Sequence, residues 1–188
     1  MRSADPILKM KERDREVKNI FLIGYRGTGK TTVAQILAER LGWSWTDADA
    51  VLEARHARNI RAIFAEEGES GFREKESAIL DEIVRLDRQV IATGGGIILK
   101  PENRRRLRSA GCVVWLMGDA NTLWKRVQQD VTTQERRPQL TVGGKDEIEE
   151  LLRTREPLYR ECADLMVDTT DRSPEEVALA ILAQITTV

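Results

Sequence analysis

Eight consecutive residues, Gly24-Tyr25-Arg26-Gly27-Thr28-Gly29-Lys30-Thr31, have the types and spacing to hold a polyphosphate. A glycine, four free positions and then Gly-Lys-Thr fit the P-loop template, in which the glycines let successive backbone N–H groups point inward. A helix opening directly afterwards adds the partial positive charge of its N-terminus. In such a loop Lys30 reaches the β- and γ-phosphates and the Thr31 hydroxyl reaches Mg²⁺. The bland alternative is a glycine-rich turn that binds nothing. The flanks argue against it, because the apolar run Ile20-Phe21-Leu22-Ile23 precedes the loop and the helical pattern Thr32-Val33-Ala34-Gln35-Ile36-Leu37-Ala38 follows it.

Two further stretches have chemistry to offer. Asp47-Ala48-Asp49 places two carboxylates at i and i+2, so that one can hold Mg²⁺ or its water while the other engages a hydroxyl substrate. Asp49 as a simple helix N-cap is the competing reading. Gly94-Gly95-Gly96 exposes backbone N–H groups with no side chain in the way, which suits close approach of a polar ligand. Residues 131–145 form a long polar loop carrying Arg136-Arg137-Pro138, and a loop of that length in a compact domain reads as a lid. An arginine on a closing lid stabilises charge on a transferred phosphoryl group.

The elements that must position these residues alternate strand and helix, which predicts a parallel sheet covered by helices on both faces. Strands are expected near 19–24, 43–47, 89–93, 112–117 and 164–168. Helices are expected near 30–41, 49–56, 60–67, 70–86, 102–109, 120–130, 146–160 and 174–185. In such α/β sheets ligands bind beyond the carboxyl ends of the strands, where the P-loop, the acidic pair and the glycine run all fall. Asp119 is expected to cap the helix that follows the fourth strand.

Composition narrows the classes further. The 188 residues are enough for one domain with a full core, here 19–188 after a charged extension 1–18. Thirty Lys plus Arg balance 31 Asp plus Glu, so neither duplex nucleic acid nor an anionic membrane is the expected partner. Cys112 and Cys162 sit in no metal or redox spacing and read as reduced core thiols, and no apolar run has the length of a signal or a membrane span. A cytoplasmic monomer is the expectation. His56 lies in a polar helical run, and Trp43, Trp45, Trp115 and Trp124 read as core or partly buried packing residues.

The order of the motifs resembles shikimate kinase along nearly all of residues 19–186. The resemblance is carried by Gly24 to Thr31, Asp47-Ala48-Asp49, Ile63-Phe64 with Gly71-Phe72-Arg73-Glu74-Lys75-Glu76, Thr93-Gly94-Gly95-Gly96, Arg137-Pro138 and Arg155-Glu156-Pro157-Leu158-Tyr159. It implies a three-layer α/β/α P-loop NTPase fold like that of adenylate kinase, with a five-stranded parallel sheet and a mobile lid at about 128–145. It also implies transfer of the γ-phosphoryl of ATP to the 3-hydroxyl of shikimate, with Mg²⁺, in the pathway to the aromatic amino acids.

The residue roles follow from the same resemblance. Asp49 would bind the ring hydroxyls and accept the attacking hydroxyl's proton, and Asp47 would hold magnesium through water. Arg73 and Arg155 would bind the shikimate carboxylate, with Glu76 orienting Arg73, Phe64 and Phe72 walling the pocket, and Gly94 to Gly96 offering donors near the ring. The acceptor-binding segment would span about 47–86. Arg137 would reach both substrate and transferring phosphate. The nucleotide would meet Gly27, Thr28, Gly29, Lys30, Thr31 and Thr32, its adenine lying between Arg126 and Pro174. Two features depart from the pattern: Gln139 replaces a leucine of the lid motif, and the N-terminal extension is long. A gluconate or nucleoside kinase shares the nucleotide half and differs in its acceptor residues. A silent nucleotide-binding module would be expected to have lost Lys30, Asp49 or Arg137.

Overall fold

β1 (Asn19–Ile23) is buried along its whole length, as a strand covered by helices on both faces must be. It pairs in parallel with β3 (Gln89–Ala92) on one side and β4 (Cys112–Met117) on the other. β2 (Ser44–Asp47) extends the sheet beyond β3 and β5 (Leu165–Asp168) extends it beyond β4. The order is therefore β2-β3-β1-β4-β5, all parallel. The computed structural model behind this description covers residues 17–129 and 144–185.

Between the strands run α1 (Lys30–Leu41), α2 (Ala48–His56), α3 (Ile60–Ile83), a single 3-10 turn Ile97–Leu99, α4 (Pro101–Ala110), α5 (Ala120–Gln129), α6 (Gly144–Cys162) and α7 (Pro174–Ile185). One face of the sheet packs Leu22, Val114 and Leu116 against Leu37 of α1 and Ile181 of α7. The other packs Phe21, Ile23 and Trp115 against Phe72 and Ile79 of α3, Leu107 of α4 and Tyr159 of α6. Each of these large side chains contributes about 1.5–3 kcal/mol by leaving water. The strands thus become rigid mounts whose carboxyl ends carry the loops.

Several expectations shift in detail. The helices foreseen at 60–67 and 70–86 are the two arms of α3, separated by the non-helical backbone of Gly68 (φ 70°, ψ −173°), and the second ends at Ile83, so 84–86 are not helical. The turn Ile97–Leu99 was not foreseen, and α6 starts and ends two residues beyond the expected 146–160. Trp45 is 43% exposed because β2 is an edge strand, which corrects its reading as a packing residue, whereas Trp115 is buried. Cys112 and Cys162 are buried and form no disulfide. No helix among the described residues is long and apolar enough to cross a membrane. The lid with Arg137, and the extension up to residue 16, lie outside the described residues. At the end of that extension, Lys18 accepts a hydrogen bond from the backbone of Arg88 at 2.7 Å.

Candidate active site

The loop after β1 turns on glycines. Gly24 has φ 139°, and a Cβ there would overlap the Leu116 carbonyl oxygen of β4, so the chain can leave the sheet at this point with glycine alone. Gly29 caps α1 in the left-handed region with no side-chain cap and no acidic residue in the first turn. A helix start of this kind suits an anion, which its backbone N–H groups and dipole attract. Lys30 folds back over the loop, its Nζ donating to the carbonyls of Gly24 at 3.0 Å and Tyr25 at 2.8 Å. The Thr28 hydroxyl donates to Tyr25 O at 2.8 Å and pins the same turn.

β2 delivers the acidic pair to this loop. Thr31 Oγ1 donates to Asp47 Oδ2 at 3.0 Å, while Asp47 Oδ1 accepts from the Ala50 backbone at 3.1 Å. The helix cap foreseen as an alternative for Asp49 is thus supplied by Asp47, since α2 starts one residue earlier than expected. Asp49 lies in the first turn of α2 and lines a cleft of about 310 Å³ together with Lys30, Thr31, Asp47, Gly94 and Gly95. Thr31 and Asp47 are hard oxygen donors side by side. Such a pair fits Mg²⁺, which takes one or two protein oxygens and completes its shell with water and phosphate. No cluster of three ligating side chains for a metal occurs among the described residues.

Beyond β3, the Thr93 hydroxyl donates to Leu22 O at 2.9 Å and ties the glycine run to β1. The three glycines then differ in what they face. A Cβ at Gly95 would lie 3.2 Å from Gly24 O, so this residue packs on the P-loop. A Cβ at Gly96 would overlap both terminal nitrogens of the Arg73 guanidinium. Sequence reading saw room for a ligand at all three; at Gly96 the room is taken by a protein cation.

Arg73 is 8% exposed on α3 and donates to Glu76 Oε2 at 2.8 Å and to Glu69 Oε1 at 3.1 Å. Burial opposes its charge most strongly, but Glu76 and Glu69 outweigh that and raise its pKa. Its guanidinium carbon stands 5.1 Å from the centre of the Phe72 ring, which stacks on Phe64 at 4.5 Å. Arg155 approaches from α6, beside the phenol of Tyr159, whose hydroxyl donates to Gly95 O at 2.5 Å. Arg73 thus rests on Gly96 and Arg155 neighbours the tyrosine bonded to Gly95, although 82 positions separate the two arginines (155 − 73).

On the nucleotide side, Arg126 of α5 donates to Thr169 O at 2.8 Å, to Thr169 Oγ1 at 3.0 Å and to Gly27 O at 3.4 Å. It bridges the P-loop to the loop after β5, and Pro174 at the far end of that loop opens α7. Gly27 and Thr32 line the cleft from the P-loop side. Asp119 accepts from Thr122 N at 3.0 Å and caps α5 as its spacing foretold. Sequence reading gave no role to Arg26, which lines the cleft, to Glu69, or to the Tyr159 hydroxyl. Of these, Glu69 stands four residues before Arg73, a helical spacing, but it fell in the gap between the helices expected at 60–67 and 70–86.

A parallel sheet of this order with a P-loop leaving its central strand defines the P-loop kinase fold. A family model described as shikimate kinase matches residues 26–186. The shikimate kinase of Rhodopirellula baltica is 43% identical over 170 residues, covering 89% of this chain and 91% of that one. That of Thermodesulfovibrio yellowstonii is 44% identical over 169 residues, covering 89% and 95%. A solved shikimate kinase from Acinetobacter baumannii in complex with shikimate superposes with a TM-score of 0.85 at 37% identity, covering 91% and 94%. The chain belongs to the shikimate kinase family.

Proposed function

We propose that this protein transfers the γ-phosphoryl group of ATP to the 3-hydroxyl of shikimate, yielding shikimate 3-phosphate and ADP on the route to the aromatic amino acids. The observation that carries the reading is that Arg73 rests on Gly96 while Arg155 stands beside Tyr159, whose hydroxyl holds Gly95, a residue of the cleft that also contains Lys30 and Asp49. A small cyclic polyol acid offers one carboxylate and several hydroxyls. Two arginine forks suit the first, and an acidic residue suits the second.

In this proposal residues 19–188 act as one unit, with the acceptor segment at about 47–86 and the lid at about 128–145. Asp49 orients the ring hydroxyls and accepts the proton of the attacking one. Lys30, whose ammonium donates to the carbonyls of Gly24 and Tyr25, exchanges these bonds for the phosphates. Thr31 and Asp47 would hold Mg²⁺, Asp47 through water, and the ion would supply positive charge to the phosphates. Arg126 and Pro174 take the adenine, and Arg137 supplies the lid's charge to the group in flight. Phosphoryl transfer asks little covalent chemistry of the protein, so positioning and water exclusion do most of the catalysis. The protein is read as a cytoplasmic monomer, and two buried thiols outside any disulfide accord with a reducing compartment.

The test is an ADP-release assay with shikimate, gluconate and nucleoside monophosphates as separate acceptors. Turnover with shikimate alone is expected. Equal turnover with gluconate, or binding of ATP and shikimate without turnover, would replace this reading.

A further inference from the structure

The hydroxyl of Tyr159 stands where three parts of the site meet. Its ring is fully buried on α6 and stacks on Trp115 with centroids 5.5 Å apart. Its oxygen donates to the carbonyl of Gly95, the residue that packs on the P-loop. Arg155 lies one helical turn earlier and beside the same phenol, and Glu76, the partner of Arg73, also acts on it. Gly96, the next residue along the turn, is the surface on which the Arg73 guanidinium rests.

Filling this space does not require a hydroxyl, since phenylalanine would stack on Trp115 equally well. A buried hydroxyl is unfavourable unless it is hydrogen-bonded. Burial, which outweighs the pull of Arg155, pushes the phenol's pKa up, so the group stays a neutral donor at physiological pH. What the hydroxyl adds is a fixed distance between α6 and the Gly94–Gly96 turn. α6 carries one arginine and the turn seats the other. Two forks closing on a single carboxylate tolerate placement errors of roughly 0.5 Å.

We infer that Tyr159 is a positioning residue for the acceptor: by tying Gly95 to α6 its hydroxyl sets the spacing of Arg73 and Arg155 and so the affinity for the substrate carboxylate. The inference rests on the functional reading above, in which these two arginines are the carboxylate forks. It assigns Tyr159 no contact with substrate and no part in the transfer itself.

The test compares wild type, Tyr159→Phe and the packing control Trp115→Phe in steady-state kinetics and thermal unfolding. For Tyr159→Phe, KM for shikimate rises about 5- to 20-fold while kcat and KM for ATP change less than about 2-fold. Trp115→Phe unfolds at a lower temperature with both KM values unmoved. The inference is overturned if KM for shikimate in Tyr159→Phe stays within twofold of wild type, or if both KM values and kcat worsen together in the two variants. A Tyr159→Phe chain that does not fold also overturns it, since the hydroxyl would then be a stability element. Wild type without shikimate turnover overturns the functional reading and this inference together. Wild-type turnover with an unmoved Tyr159→Phe removes this inference alone.

Discussion

The guanidinium of Arg73 lies on the bare backbone of Gly96, in space that any side chain at position 96 would occupy. Gly96→Ala must therefore displace Arg73 or the turn. The colliding atoms are the far end of a flexible side chain, so the arginine moves and the fold stays. The expected outcome is a rise of about tenfold or more in KM for shikimate, with an unfolding temperature near that of wild type. A large fall in stability with unchanged KM would show that the turn, not the arginine, gives way.

Removing Arg73 has two separable effects. Arg73→Ala weakens acceptor binding by about 2–5 kcal/mol, seen as a strong rise in KM for shikimate with ATP binding nearly intact. It also takes from Glu76, which is 4% exposed, its hydrogen-bonded cation at 2.8 Å, and breaking a buried pair from one side costs about 3–5 kcal/mol of stability. Replacing both partners, as Arg73→Met with Glu76→Leu, should recover much of the stability and none of the shikimate affinity. Equal loss of ATP and shikimate affinity in Arg73→Ala would count against the acceptor role.

Asp47 makes two bonds, one to Thr31 and one to the N-terminus of α2. Asparagine caps helices about as well as aspartate, whereas alanine at such a cap costs about 0.5–2 kcal/mol. Asp47→Asn should unfold like wild type and Asp47→Ala at lower temperature. Both should need about 10- to 100-fold more Mg²⁺ for half-maximal turnover, as expected when the group orienting a metal ligand or its water is lost. An unchanged Mg²⁺ requirement in Asp47→Asn would leave Asp47 as a helix cap only.

The start of α7 predicts a pH effect. Glu176 accepts from the Ser173 backbone at 2.7 Å and from its hydroxyl at 2.9 Å, while Ser173 Oγ accepts from Glu176 N at 3.2 Å, a reciprocal capping box. The Ser173 backbone N–H, then its hydroxyl, hold the Glu176 carboxyl below its ordinary value of 4.5. A depressed carboxyl stabilises the fold fully above its unfolded value and loses that contribution as pH falls through the folded one. Urea unfolding of wild type and Glu176→Gln should therefore differ most at neutral pH, with the gap starting to close as pH falls below 4.5 and gone only below the lower folded value. A gap that widens on acidification would reverse the assigned sign.

The P-loop, the strand-and-helix alternation and the capping acid Asp119 were all legible in the sequence, because each is encoded in residues next to one another. Even the break in α3 announced itself, as two helices expected on either side of Gly68. The split roles of the acidic pair were not legible. Asp47 and Asp49 have the same chemistry, and the one residue by which α2 begins early decides which of them caps.

By itself, the order of residues determined that a phosphate-binding turn would follow an apolar strand and that acids, glycines and arginines would be available to it. Tertiary structure decided that Gly96 serves Arg73, that Tyr159 reaches across 64 positions to Gly95, and that Trp45 faces solvent on an edge strand. The physical reason is one of range. Backbone turns and helix caps depend on near neighbours, whereas the distance between two arginines on different helices exists only after both helices have packed on one face of the sheet.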